Sequence, residues 1–238
     1  MRLILSSLLL VCVAHAADFS KADALFAQRE NNLSVIHQAR ALYENILYHT
    51  GDRVEQLNAM DQLGRLAYYE GELLTPMEDK KTRMAIFTKT QEYAEAVGSA
   101  YWKALGLALW SQSAGMVAGW WYLDDFKAAF KRALVEDVHT DDGGIFRLLA
   151  ALYVQSVVLE IYGLYNPRLA LEYANRAVEL GPQRADVYLL KAHVLKTLGR
   201  GDEAKQVLKN ALEQFSSAAD LGPENNIFLE RIKAACLR

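Results

Sequence analysis

The side chains in this sequence that could do chemistry are few and widely spaced. The densest run of oxygen and nitrogen donors is Asp137-Val138-His139-Thr140-Asp141-Asp142-Gly143, which superficially resembles a cation-binding loop. A calcium loop, however, wants its glycine one place earlier and a glutamate at the twelfth position, where Leu148 stands. The run therefore reads as acidic residues ahead of a helix starting near Gly144, complementing its positive end and its free N–H groups. Arg147, one turn later, has two readings. It meets a carboxylate ligand bidentately, or it pairs with Asp137 or Asp141 and stiffens the loop. His37, His49, His139 and His193 form no close pair, which argues against zinc. H-E-x-x-H, G-x-S-x-G, a phosphate-binding glycine loop and a dinucleotide fingerprint are absent. No catalytic residue, cofactor or metal is expected. Lys80-Lys81 and Arg83 read as a solvated helix face.

Aromatic side chains form the second candidate group. Tyr68, Tyr69, Tyr101, Trp102, Trp110, Trp120, Trp121 and Tyr122 are concentrated in the first half. Trp102 and Trp110 lie eight apart, on one helical face, and read as core. Trp120-Trp121-Tyr122 is different, because three successive aromatics between helices cannot all enter one core. Trp120 or Trp121 is expected to line a ligand cleft or a subunit contact.

The elements that must position these residues are helical. The chain has 238 residues, 52% hydrophobic and 23% charged, with 26 Lys+Arg against 29 Asp+Glu, so no strong net field draws it to nucleic acid or an anionic membrane. Met1-Arg2, the apolar run Leu3 to Val13 and Ala14-His15-Ala16 read as a secretory signal peptide over 1–16, leaving 17–238 as one exported domain. The apolar run is about half the ~20 residues of a membrane span, so no integral span is expected in the mature chain. Cleavage near Ala16 is preferred to lipid attachment at Cys12, because Val11 stands where that processing wants a small residue. Cys236 is then the remaining cysteine, without a disulfide partner, and reads as a small apolar residue.

Between Ala170 and Arg238 the sequence nearly superposes on itself at a shift of 34, placing Ala170 on Ala204, Ala174 on Leu208 and Ala177 on Ala211. That is the tetratricopeptide period. Tyr188, Ala192, Leu195 and Gly199 fill a first helix, and Ala204, Leu208 and Ala211 a second, with Asp202 placed to cap it. Degenerate units start at Leu63-Gly64, at Trp102 with a second helix from Asp124 to Glu136, and at Phe146. A long helical segment from about Lys21 to Tyr48 precedes them. The expected fold is all-α, a tetratricopeptide-like helical repeat solenoid of about ten antiparallel helices over 17–238.

Tyr68-Tyr69-x-Gly71, Ala100-Tyr101-Trp102-x-Ala104 and Glu136-Asp137 followed by Gly143-Gly144-x-x-Arg147 are also arranged in a recognisable order. Over about residues 37 to 215 the chain resembles the TatT family, tetratricopeptide-like periplasmic proteins associated with tripartite ATP-independent periplasmic (TRAP) transporters. The resemblance implies a non-enzymatic protein that self-associates, engages the transporter's solute-binding subunit, and holds or hands over a small organic ligand. Tyr68, Tyr69, Tyr101, Trp102, Trp120, Trp121 and Arg147 are the ligand or interface candidates. Two other classes compete with it: a general periplasmic tetratricopeptide adaptor in envelope assembly or secretion, and an enzyme or metal protein using Asp137 to Asp142.

Overall fold

The computed structural model describes residues 19–30, 32–115, 121–155, 164–218 and 221–236. The expected signal segment, Cys12 and Trp120 lie outside them. The described residues are helical almost throughout and contain no strand. They fall into two compact units, with the boundary between Lys131 and Arg132.

In the first unit, helical residues 19–27 precede α1 (Leu33–His49), α2 (Arg53–Tyr68), a π-helical segment (Tyr69–Leu74), α3 (Lys80–Val97) and α4 (Ala100–Ala114). The long helical segment expected from Lys21 to Tyr48 is thus divided into two helices. The break has a local cause: the Asn32 side chain accepts from the Val35 N–H at 3.3 Å and starts α1 afresh. Asp52 and Asp79 cap α2 and α3 in the same way. Gly98, with φ of 66°, ends α3 in the left-handed region. α1 packs on α2, α2 on α3 and α3 on α4, and so short a turn as Gly98-Ser99 sends the following helix back along its predecessor.

α5 (Leu123–Glu136) contains the unit boundary and buries Phe126, Ala129, Phe130 and Ala133 on one face. The second unit continues with α6 (Gly144–Val154), α7 (Pro167–Leu180), α8 (Ala185–Thr197), α9 (Gly201–Ser216) and α10 (Gly222–Cys236). Consecutive helices pack on each other, and α8 also touches α6 and α10. Small residues allow this approach: Ala170, Ala174, Ala177, Ala204 and Ala211 are completely buried. The Tyr188 ring fills space beside them, edge-on to Phe215 at 5.8 Å. Gly199 ends α8 with φ of 74°. Asp202 falls in the first turn of α9 rather than at its cap, because the helix begins at Gly201 and Arg200 precedes it without a side-chain cap bond. From there its carboxylate complements the helix's positive end.

The first unit uses glycine where the second uses alanine. A Cβ on Gly64 would lie 2.3 Å from the Trp102 ring, and one on Gly71 2.5 Å from Phe87. Both helices approach an aromatic ring too closely for any side chain. Gly64→Ala is therefore expected to lower the unfolding free energy by about 1–3 kcal/mol. Gly51→Ala, with nothing within 4 Å of its would-be Cβ, should stay within about 0.5 kcal/mol. Urea titration of both variants checks the contrast.

Candidate functional site

The largest concentration of buried charge in the first unit surrounds the π segment. Tyr68 closes α2 and Tyr69 opens the wider turn, whose i to i+5 geometry is seen in the Thr75 N–H donating to the Glu70 carbonyl at 2.8 Å. The carbonyls released by that turn find a cation. Arg83, fully buried on α3, donates to the carbonyls of Gly71 and Thr75 and to the Glu72 carboxylate, while its Nε donates to Ser113 Oγ at 3.2 Å. The Phe87 ring lies 5.6 Å from the guanidinium carbon. One residue before Gly71, the buried Glu70 carboxylate accepts from Arg40 and lies 3.3 Å from His37 Nε2, two residues of α1.

Two tyrosines extend this polar interior. Tyr43 donates its hydroxyl to Asp23 at 2.6 Å, and Tyr93 donates to Glu44. Burial, reinforced by those carboxylates, pushes both phenols well above their usual range. Phe19 and Phe26 stand edge-on to Tyr43, so the helical residues 19–27 are held to α1 by ring contacts as well as by Asp23. Arg29 lies 3.9 Å above the Phe26 ring and 5.4 Å from the centre of the Tyr69 ring.

The aromatic candidates divide by depth. Tyr69, Tyr101 and Trp102 are in the packed interior, and Tyr68 is half-buried. The Tyr101 and Trp102 rings are 4.7 Å apart. Trp102 is 1% exposed, and its indole N–H meets no acceptor among the described residues, an arrangement that costs about 1–3 kcal/mol. Trp121 is 81% exposed and Tyr122 is 40% exposed, with the Tyr122 ring edge-on to the half-buried Trp110 at 5.1 Å. Of the candidate aromatics described, Trp121 presents the most of its ring surface to solvent.

Arg147 belongs to a different cluster, in the second unit. Asp141, Asp142 and Gly143 all have positive φ, 51°, 55° and 77°, which turns the chain sharply into α6. Arg147 donates to the carbonyls of Asp141 and Asp142 at 2.7 and 3.1 Å and pairs with the Asp141 carboxylate. Arg184 donates to the same carboxylate at 2.9 Å and to both oxygens of Asp186, at 3.1 and 3.0 Å. Of the two readings for Arg147, the internal pair with Asp141 is the arrangement present. Gly143 supports it sterically, since a Cβ there would lie 2.8 Å from that of Leu180.

Sequence reading missed Arg83, which lies on the buried face of α3 and not on a solvated one. Its signal was spacing: Arg83, Phe87, Thr90, Ala94 and Val97 follow one helical stripe, and all are buried. Arg184 and Asp186 carried no such signal, because only the fold brings them to Asp141. No family model matches the chain, and no curated protein is significantly similar to it.

Burial disfavours the charged Asp186 carboxyl, but Arg184 and Arg147 outweigh it and hold the group below the usual carboxylate range. A depressed folded pKa adds stability above the unfolded value of about 4, and this is lost as the pH falls through the folded value. Asp186→Asn is expected to lower stability at neutral pH by about 3 kcal/mol, through two arginines left with one carboxylate fewer. Its deficit should shrink on acidification below about pH 4, as shown by thermal unfolding across pH.

Proposed function

We propose that this chain is a non-enzymatic periplasmic interaction protein built on tetratricopeptide-type repeats, resembling the TatT accessory components of TRAP transporters. In this reading it is exported through the segment 1–16, engages a solute-binding subunit, and holds or hands over a small organic ligand. The observation that carries the reading is the phase of the second unit. α7 begins at Pro167 and α9 at Gly201, which is 201 − 167 = 34 residues, and alternate helices touch as well as consecutive ones. Stacked helix pairs of that period bury their alanine faces against one another and leave side chains of the outer faces for a partner.

Two further features support it. The residues behind the family resemblance have defined work: Tyr69 and Gly71 shape the π segment, Trp102 fills the space left by Gly64, and Arg147 holds the left-handed turn. The buried Arg83 and Asp141 and the half-buried Glu72, Arg147, Arg184 and Asp186 are committed to one another and to backbone, an arrangement suited to a rigid scaffold. Trp121 is the contact residue of the first unit on this reading, as a large rigid anchor exposed in the free protein.

Affinity capture of the tagged chain from envelope extracts tests the proposal. The expected result is enrichment of a TRAP solute-binding subunit, reduced at least about tenfold by Trp121→Ala, with an unchanged melting temperature because the side chain is 81% exposed. Recovery of envelope-assembly machinery alone would instead favour a general periplasmic adaptor.

A further inference from the structure

The second unit carries a groove of about 460 Å³ along α7, lined by Arg168, Leu171, Glu172, Asn175, Leu198 and Arg200. Its volume lies within the range of about 300–1,000 Å³ typical of small-molecule sites, and it is open to solvent, with Arg168, Glu172, Asn175 and Arg200 all exposed. The floor is apolar and fixed. Leu171 and Leu198 pack against a core cluster of Ala150, Val154, Ala170, Ala174 and Val194, so they hold their positions without a ligand.

The walls are polar and of both signs. Arg168 makes no hydrogen bond or ion pair with a described residue. It does not close onto Glu172, four residues ahead, since a cation preceding its anion by four is the weaker helical order. Arg200 uses Nε and Nη2 to hold Glu203, both at 2.6 Å, and Nη1 is outside that pair. The lining carries two guanidiniums and one carboxylate, Glu172, while Glu203 holds Arg200 from outside the lining. A polyanion would meet the Glu172 carboxylate, and a wholly apolar ligand would strip water from four polar side chains without replacing their hydrogen bonds.

We propose that this groove binds a free α-amino acid with an apolar side chain. Its carboxylate is met by Arg168 and Arg200, its ammonium by Glu172, and its side chain by Leu171 and Leu198, with the Asn175 amide available for one further bond. With Arg200 paired to Glu203, the remaining wall charges are one cation, Arg168, and one anion, Glu172, and a zwitterion presents a partner to each. The inference rests on the groove alone and stands apart from partner binding at Trp121.

Titration of the 15N-labelled full chain with L-leucine, 4-methylpentanoate and 3-methylbutylamine separates the contributions, since the last two each lack one charge of leucine. L-Leucine should produce saturable shifts at Leu171, Asn175 and Leu198, and each single-charge analogue should bind about tenfold more weakly. Arg168→Gln should weaken L-leucine and 4-methylpentanoate but not the amine, and Glu172→Gln should weaken L-leucine and the amine but not the carboxylate. Both side chains are exposed, so unchanged melting temperatures will show that folding is intact. Absence of saturation at millimolar L-leucine, or equal binding of L-leucine and either analogue, overturns the proposal.

Discussion

A guanidinium removed from water must have its N–H groups met, and the first unit is arranged around that demand at Arg83. An uninterrupted α-helix would direct the carbonyls of residues 71 and 75 into its own ladder. The π segment releases them, and the same turn brings Glu72 into reach. Gly71 then allows the segment to lie against Phe87, the aromatic neighbour of the cation it serves. The irregular turn and the buried charge are one feature, since each supplies what the other lacks.

The second unit solves a related problem with different parts. Its turn before α6 has three successive residues in the left-handed region, two of them aspartates that carry a Cβ. Such a conformation persists only when surrounding contacts determine it. Arg147 does so from inside the following helix by taking two of the turn's carbonyls, and Arg184 does so from the turn before α8. Asp141 joins the two arginines. The acidic loop that resembles a cation site in sequence therefore receives its positive charge from the protein.

The helical class, the ends of α5 and α8, and the small-residue faces of α7 and α9 were legible in the sequence, because each depends on local spacing and on residues with strong conformational preferences. The helical segment from Lys21 to Tyr48 was legible, but its division was not, because a single asparagine outweighs a continuing apolar pattern. Tyr69-x-Gly71 could be seen as a motif, but its purpose could not, because Phe87 and Arg83 reach it only after α3 folds back. The same applies to Asp141: Arg147 is close in sequence and was weighed as its partner, whereas Arg184 is forty-three positions away. Local order can be read from neighbours, whereas the pairing of buried charges is a property of the assembled helices.

The depths of Trp102 and Trp121 also place two indoles of the first unit in opposite surroundings. An indole with 1% exposure and no hydrogen-bond acceptor among the described residues is held in an apolar surrounding, whereas one with 81% exposure relaxes in water. Their excited states therefore sense opposite solvents within one folded unit. The emission lost in Trp102→Phe therefore reports the α2 and α4 packing at Gly64, and the emission lost in Trp121→Phe reports the surface next to α5.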